Sequence, residues 1–303
     1  MVRCSIHFLK ESFEDLMLKA EDILNQFTSL NYEHSDIVVI YSGIWMIGAN
    51  IDLPPKDVPD LLLDCLCEYA DRYHKTILLP SYTYNFTKTK KFDLAKSKPE
   101  TGVLPEFALS TEGFGRTSSP LNSYLAYGPR KEEVLSVRDE TLWGDSSLMG
   151  WFDKEDANIW VLGEPWHRAC THFHRAEEVF GVEYRYYKRF GGELFNNGIF
   201  LSENSSVMYV RPKECKSEMD FSCMAPEMER RSHVKSSKNQ LLPLEAATAR
   251  KIVEVGMDLL SKDEYCFVVN KSAYKNWANQ SKTEEIRSLS KEEAYTKPSD
   301  LSG

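Results

Sequence analysis

Apolar positions along this chain follow two spacings, and their alternation predicts the fold. Residues 11–30 place Phe13, Leu16, Met17, Ala20, Ile23, Leu24 and Phe27 on one side of a helical repeat, so an amphipathic helix is expected there. "DIVVIYS" at 36–42 is a continuous apolar run rich in β-branched residues, the pattern of a strand buried on both faces. "KDVPDLLLDCLCEYADRYH" at 56–74 returns to helical spacing, with Pro59 placed where a helix start tolerates it. "KTILLPSYT" at 75–83 is a second apolar strand, stopped by Pro80. Strand, helix and strand in this order predict a βαβ unit with parallel neighbours and a right-handed crossover.

The pattern continues downstream. Strands are expected at 121–128, 157–163 and 205–212, and a short helix at 130–137. "THFHRAEEVFG" at 171–181 reads as a helix capped by Thr171 and closed at Gly181. Residues 226–240 read as a polar loop, 243–263 as a helix and 264–270 as a last strand. The fold class expected is α/β, with a largely parallel central sheet flanked by helices. Residues 1–281 are expected to form one α/β domain, and the charged tail at 282–303 to be frayed or disordered.

Composition narrows the function. The 303 residues are 42% hydrophobic and 27% charged, ordinary for a soluble globular chain that can bury a core. A formal net charge of -9 argues against nucleic acid as partner, since sequence-independent binding needs a basic surface. No signal peptide is expected, because Lys10, Glu11, Glu14 and Asp15 interrupt the apolar start. The most apolar run, 37–51, is too short for a membrane span. Seven cysteines, odd in number and without a spacing framework, point to reduced thiols in the cytoplasm. The oligomeric state is not readable, and a homodimer is compatible with the sequence.

The chemistry-bearing residues gather after strands. Ser42 and Gly43 follow the first, Ser81, Tyr82 and Thr83 the second, and residues 164–174 follow the strand ended by Gly163. In a parallel sheet these are carboxyl ends, where such folds hold ligands. "ACTHFHRAEE" at 169–178 supports several readings. His167, Cys170, His172, His174 and Glu177 offer metal ligands, but no CxxC or HExxH is present. His172 and His174 also point to nearly opposite helix faces, so no metal is expected. Cys170, four residues before His174, has the spacing of an activated thiol nucleophile. His174 in the first turn of a helix would be kept neutral by the dipole and can serve as a general base. Glu177 and Glu178, three and four positions on, reach its side of the helix. A surface helix with ordinary polar pairs fits the same residues.

Six stretches, in order, resemble the aminoglycoside 3-N-acetyltransferase family. They are "IYSGI" at 40–44, "LPSYT" at 79–83, "TGVLPEFA" at 101–108, "GRTSSPLNSYLAYG" at 115–128, "LWGDSSLMGWF" at 142–152, and Thr171, His174 and Glu177 as "TxxHxxE". The resemblance spans roughly 36–200. It implies an acyltransferase-like α/β domain that transfers an acetyl group from acetyl-CoA to an amine of an amino sugar, without a metal. By the same resemblance His174 is the base and Glu177 orients its ring or holds the ammonium. Ser42, Gly43, Thr83, Arg116 and Ser123 would contact the coenzyme, and Tyr82, Thr171 and Glu178 the acceptor. The chain departs from the family pattern at Tyr41, Ser119 and Ser147 and in "ANIDLPPKD" at 49–57. The acceptors compatible with these departures are an aminoglycoside, or an amino sugar or nucleotide-linked amino sugar destined for a surface polysaccharide. The departures also leave a catalytically silent relative, acting as a binding or assembly protein, as the alternative.

Overall fold

The computed structural model describes residues 18–30, 35–48, 50–51, 53–212, 214–215 and 218–295. Helix α1 (Ala20–Ser29) leads to β1 (Ile37–Ser42), α2 (Val58–Arg72) and β2 (Thr76–Pro80). Then come β3 (Lys91–Asp93), α3 (Val103–Ser110), β4 (Gly115–Arg116), β5 (Tyr124–Tyr127), α4 (Lys131–Ser136), α5 (Leu148–Lys154) and β6 (Asn158–Leu162). After α6 (Phe173–Phe180) the chain forms a hairpin of β7 (Tyr186–Asn196) and β8 (Ile199–Val210). It closes with α7 (Met224–Arg230), β9 (Lys235–Ser236), β10 (Leu244–Thr248), α8 (Ala249–Lys262), α9 (Lys271–Gln280) and α10 (Lys282–Arg287). The expected first helix is seen as α1, which buries Ile23, Leu24 and Phe27; Phe13, Leu16 and Met17 lie outside the described residues.

The central sheet runs β4-β5-β2-β1-β6-β10-β9, and β3-β7-β8 form a second sheet. β1 is buried on both faces, as its apolar run predicts. Ile37, Val39 and Tyr41 enter one core with α6 and α8, while Val38 and Ile40 enter the other with α1, α2 and α3. Each such side chain contributes roughly 1.5–3 kcal/mol when fully buried. The sheet is α/β and flanked by helices, but its parallel character is confined to the centre. β2 pairs with β1 and β1 with β6 in parallel, whereas the pairings toward β4 and toward β9 are antiparallel. The cause lies in where the chain re-enters. Tyr124 starts β5 opposite Pro80 at the end of β2, and Leu244 starts β10 opposite Leu162 at the end of β6. A chain that returns from the carboxyl end must run the other way.

Several segments differ from their sequence pattern. Residues 244–248 are a strand paired to β6 and the helix begins only at Ala249, because the sheet edge supplies backbone partners that outweigh helix propensity. The run at 264–270 is not a strand: Phe267 and Val268 are buried in turns, with one isolated bridge from Val268 to Met219. Within the expected loop 226–240, α7 anchors itself through Met224 and Met228 one turn apart, and Lys235–Ser236 pair with β10. Residues 282–295 are docked rather than frayed. Glu285 accepts from Tyr186 and Trp277, the Lys188 ammonium pairs with Glu293, and the Tyr295 hydroxyl donates to Glu140. Charges that look solvating in the sequence are thus partners of the hairpin.

Two details set the position of α6. Its end is closed by Gly181 at φ +77°, a left-handed cap that disfavours side chains with a Cβ. Gly256 of α8 faces Ala176, and a Cβ there would lie 2.4 Å from the Ala176 Cβ, so the absent side chain lets the two helices approach. Among the described residues no helix is long and apolar enough to cross a membrane.

Candidate active site

Two clefts are lined by residues around the start of α6. One, of about 330 Å³, opens at the carboxyl ends of β1, β2 and β6, lined among others by Ser42, Tyr82, Glu164, Arg168 and Thr171. The three segments expected to converge therefore do so. The other, of about 450 Å³, is lined by His174, Arg185 and the segment leaving β8. Thr171 and His174 belong to one turn, the His174 N–H donating to the Thr171 carbonyl at 3.0 Å.

His174 is the centre of a charged cluster. Its Nδ1 lies 2.6 Å from Glu177 Oε2. Glu177 is fully buried and accepts from the Tyr184 hydroxyl at 2.6 Å and from Arg185 Nε and Nη2 at 3.0 and 2.8 Å. Arg185 Nη1 donates to the Tyr209 carbonyl, which fixes the guanidinium, and its Nη2 is 3.2 Å from His174 Nδ1. Burial alone would raise the Glu177 pKa, but the Arg185 charge and the His174 and Tyr184 bonds outweigh it and hold the carboxyl at about 2. An ionised carboxylate only accepts, so Nδ1 carries the proton and the lone pair falls on Nε2. Burial pushes the His174 pKa below its ordinary value, opposed by Glu177 and assisted by Arg185 and Arg211. The ring is therefore neutral at physiological pH. It stacks on Trp143 at 4.7 Å and meets the edge of Phe221 at 5.1 Å.

The other predicted residues have distinct places. Thr171 does not cap α6: His172 takes the N-cap position without a side-chain bond, and Thr171 lines the first cleft together with the buried Tyr82. Tyr82 continues through Tyr124 to Tyr41 in a chain of buried phenols, with oxygens 2.7 and 3.1 Å apart. Glu178 does not join Glu177. It accepts from Thr141 and Tyr187. His172 turns away from His174 to Asp153, 3.0 Å distant, as expected of residues two apart.

Arg116, Thr83 and Ser123 form a buried knot. The Arg116 guanidinium donates to the carbonyls of Ser81 and Ser97 and to the hydroxyls of Ser81 and Thr83, over the Phe92 ring. Burial lowers its pKa to about 9. The Ser123 hydroxyl, fully buried, donates to the Ser81 carbonyl at 2.6 Å. These groups hold the loop after β2. The Gly43 N–H donates to the Leu162 carbonyl at 2.8 Å. Cys170 is buried, and burial pushes its thiol well above the ordinary range, so it stays protonated. Among the described residues no group of three or more His, Cys, Asp or Glu side chains is arranged to hold a metal.

Sequence reasoning missed Arg185, Tyr184, Trp143 and Phe221. Arg185 had a signal, a lone cation inside the aromatic run "YRYY" at 184–187. Trp143 lay within the "LWGDSS" stretch already noted, but nothing in its spacing pointed at His174.

The comparisons with known proteins agree with the fold. The model of the family described as aminoglycoside 3-N-acetyltransferase matches residues 67–261, more than half of the chain. Similar solved structures include aminoglycoside acetyltransferase AAC(3)-IVa as apoenzyme, with TM-score 0.67 and 19% identity over 85% of this chain and 93% of that one. AAC-VIa bound to sisomicin has TM-score 0.66 and 18% identity, over 81% and 98% of the two chains. AAC-IIIb in binary complex with CoASH has TM-score 0.65 and 16% identity, over 81% and 97%. No curated protein sequence matches the chain. The family match over residues 67–261 shows that the chain belongs to the aminoglycoside 3-N-acetyltransferase family, as a divergent member, and is an N-acetyltransferase that uses acetyl-CoA.

Proposed function

We propose that the chain acetylates an amine of an amino sugar, with His174 as general base and direct transfer between the two substrates. The reading is carried by one observation: His174 Nδ1 is tied to a carboxylate held ionised by Arg185, which leaves a neutral Nε2 to accept a proton. An amine is protonated in water and cannot attack until it loses that proton. His174 takes it, the freed nitrogen attacks the thioester carbonyl, and the carbon–sulfur bond breaks as CoA leaves as a thiol, a role for the base worth about two to four orders of magnitude in rate. Glu177 fixes the tautomer and stabilises the imidazolium that forms. Acetyl-CoA supplies the acyl group as a thioester.

The coenzyme is assigned to the cleft at the ends of β1, β2 and β6. Arg168 is exposed there and its guanidinium suits a phosphate, while Ser42 and Thr171 offer hydroxyls. Tyr82 stands behind Thr171 as a support, and the Arg116 knot shapes the loop that carries Tyr82. The acceptor is assigned to the His174 cleft, whose base shares a turn with Thr171 of the coenzyme cleft, so that amine and thioester meet there. The reaction is placed in the cytoplasm, where acetyl-CoA is made and the thiols stay reduced.

The test is release of free CoA from acetyl-CoA, followed by mass analysis of the acceptor. Release that requires an amino sugar, with one acetyl group gained on nitrogen, supports the reading. Acetyl-CoA binding without release across aminoglycosides, simple amino sugars and nucleotide-linked amino sugars would refute it and favour a silent binding protein.

A further inference from the structure

The tip of the β7–β8 hairpin exposes three apolar side chains in a row. Ile199, Phe200 and Leu201 are 69%, 52% and 51% exposed, directly after an Asn197–Gly198 turn with both residues at positive φ. Single exposed apolar residues are ordinary on a protein surface, but a contiguous group marks a contact site. The turn is tied down. The Asn197 and Gly198 N–H groups donate to the Asp93 carboxylate at 3.1 and 2.6 Å, and β3 pairs with β7 as far as Asp93 and Phe195. A fixed turn thus presents the three side chains at one point.

The same corner concentrates positive charge. The segment "TKTKKFDLAKSK" at 87–98, which contains β3, carries five lysines and one acidic residue in a chain of net charge -9. All five lysines are exposed, and Lys98 pairs with Glu106 at 3.0 Å. The Lys96 ammonium lies over the turn, 3.6 Å from where a Cβ on Gly198 would stand. Lys91 sits over the Phe195 ring at 5.7 Å, and Phe195 packs on Phe200. Of the nearby carboxylates, Asp93 is committed to the turn, and Glu193 and Glu203 oppose each other across the hairpin, with Lys91 beside Glu193.

We infer that this corner is a peripheral docking site for an anionic lipid surface. Ile199, Phe200 and Leu201 enter the acyl boundary, and Lys90, Lys91 and Lys96 meet the headgroup phosphates. Apolar insertion and a basic rim are the two signals that reversible membrane binding needs together. A nucleic acid would use the lysines and leave the aliphatic tip in water. A second copy of the same corner would set lysines against lysines.

The experiment is co-sedimentation of the full chain with vesicles of phosphatidylcholine alone and of phosphatidylcholine with phosphatidylglycerol. Binding is expected to the anionic vesicles only, and to weaken as salt rises. Phe200→Ser should weaken it at least about tenfold and Lys96→Gln about fivefold, with Tm unchanged because both side chains are exposed. No sedimentation with anionic vesicles at low salt would overturn the inference. Binding that survives Phe200→Ser but not Lys96→Gln, and that a single-stranded RNA matches, would replace the membrane by a polyanion. A dimer in solution that Phe200→Ser dissociates, without vesicle binding, would make the corner a contact between copies.

Discussion

His174 and Glu177, one helical turn apart, are joined through Nδ1 and Oε2 at 2.6 Å, with the carboxylate fully buried and the ring half-buried. The pair works because a third group, Arg185, keeps the carboxylate charged where burial would otherwise protonate it. Without Arg185 the two effects on His174 would compete: a neutral Glu177 could donate to Nδ1 and place the ring proton on Nε2, the wrong tautomer for a base.

The rate should follow the His174 ionisation. Its pKa lies below the ordinary 6.5, because burial outweighs the Glu177 charge. The unprotonated ring is the active form, so kcat/KM should rise with pH through a midpoint below 6.5 and then level off. A pH profile at saturating acetyl-CoA checks this. A midpoint above 6.5 would mean that the imidazolium is stabilised, contrary to the account.

Glu177→Gln should destabilise the fold as well as slow the reaction. It leaves the buried Arg185 without its carboxylate, a loss of about 3–5 kcal/mol for a broken buried pair. The pH dependence of stability gives a second readout. The Glu177 pKa is about 2 in the folded chain against an ordinary 4.5. Its contribution is fully present above 4.5 and is lost as pH falls toward 2. Denaturant titrations of the parent and the variant should therefore differ most at neutral pH and converge on acidification.

Cys170→Ala should retain CoA release at the parent's order of magnitude. The thiol is buried and protonated, and acts as a small core side chain. Loss of activity with an intact fold, together with a burst of CoA before steady state in the parent, would point to an acyl-enzyme.

Arg116→Met should lower stability by at least about 2 kcal/mol, because it strips donors from buried acceptors around Ser81. A coenzyme contact would behave otherwise, raising KM for acetyl-CoA with little change in Tm. Measuring both quantities on one variant separates the support role from the ligand role.

The sheet centre was legible because β1, α2 and β2 carry unambiguous spacing, and burial on both faces leaves a strand little freedom of composition. The sheet flanks were not. Leu244 to Thr248 contains good helix formers, and only the β6 edge makes it a strand. The hairpin strand β7 alternates exposed and half-buried positions around Gly191 and Gly192, which blurs its period. At the site, His174 and Glu177 were readable because a helix brings residues three apart together and the motif marks them. Trp143 and Arg185 come from segments distant in sequence, so their convergence on His174 is a property of the packing. The Arg116 stretch was readable as a resemblance, but its burial beneath the loop was not.

The central claim is that His174 moves the amine proton. The most direct measurement compares CoA release by the parent and by His174→Ala, with acetyl-CoA and the best acceptor at saturation and with Tm recorded for both. A fall of about a hundredfold or more in kcat, with the fold retained, is expected. Undiminished release by a folded His174→Ala protein would contradict it.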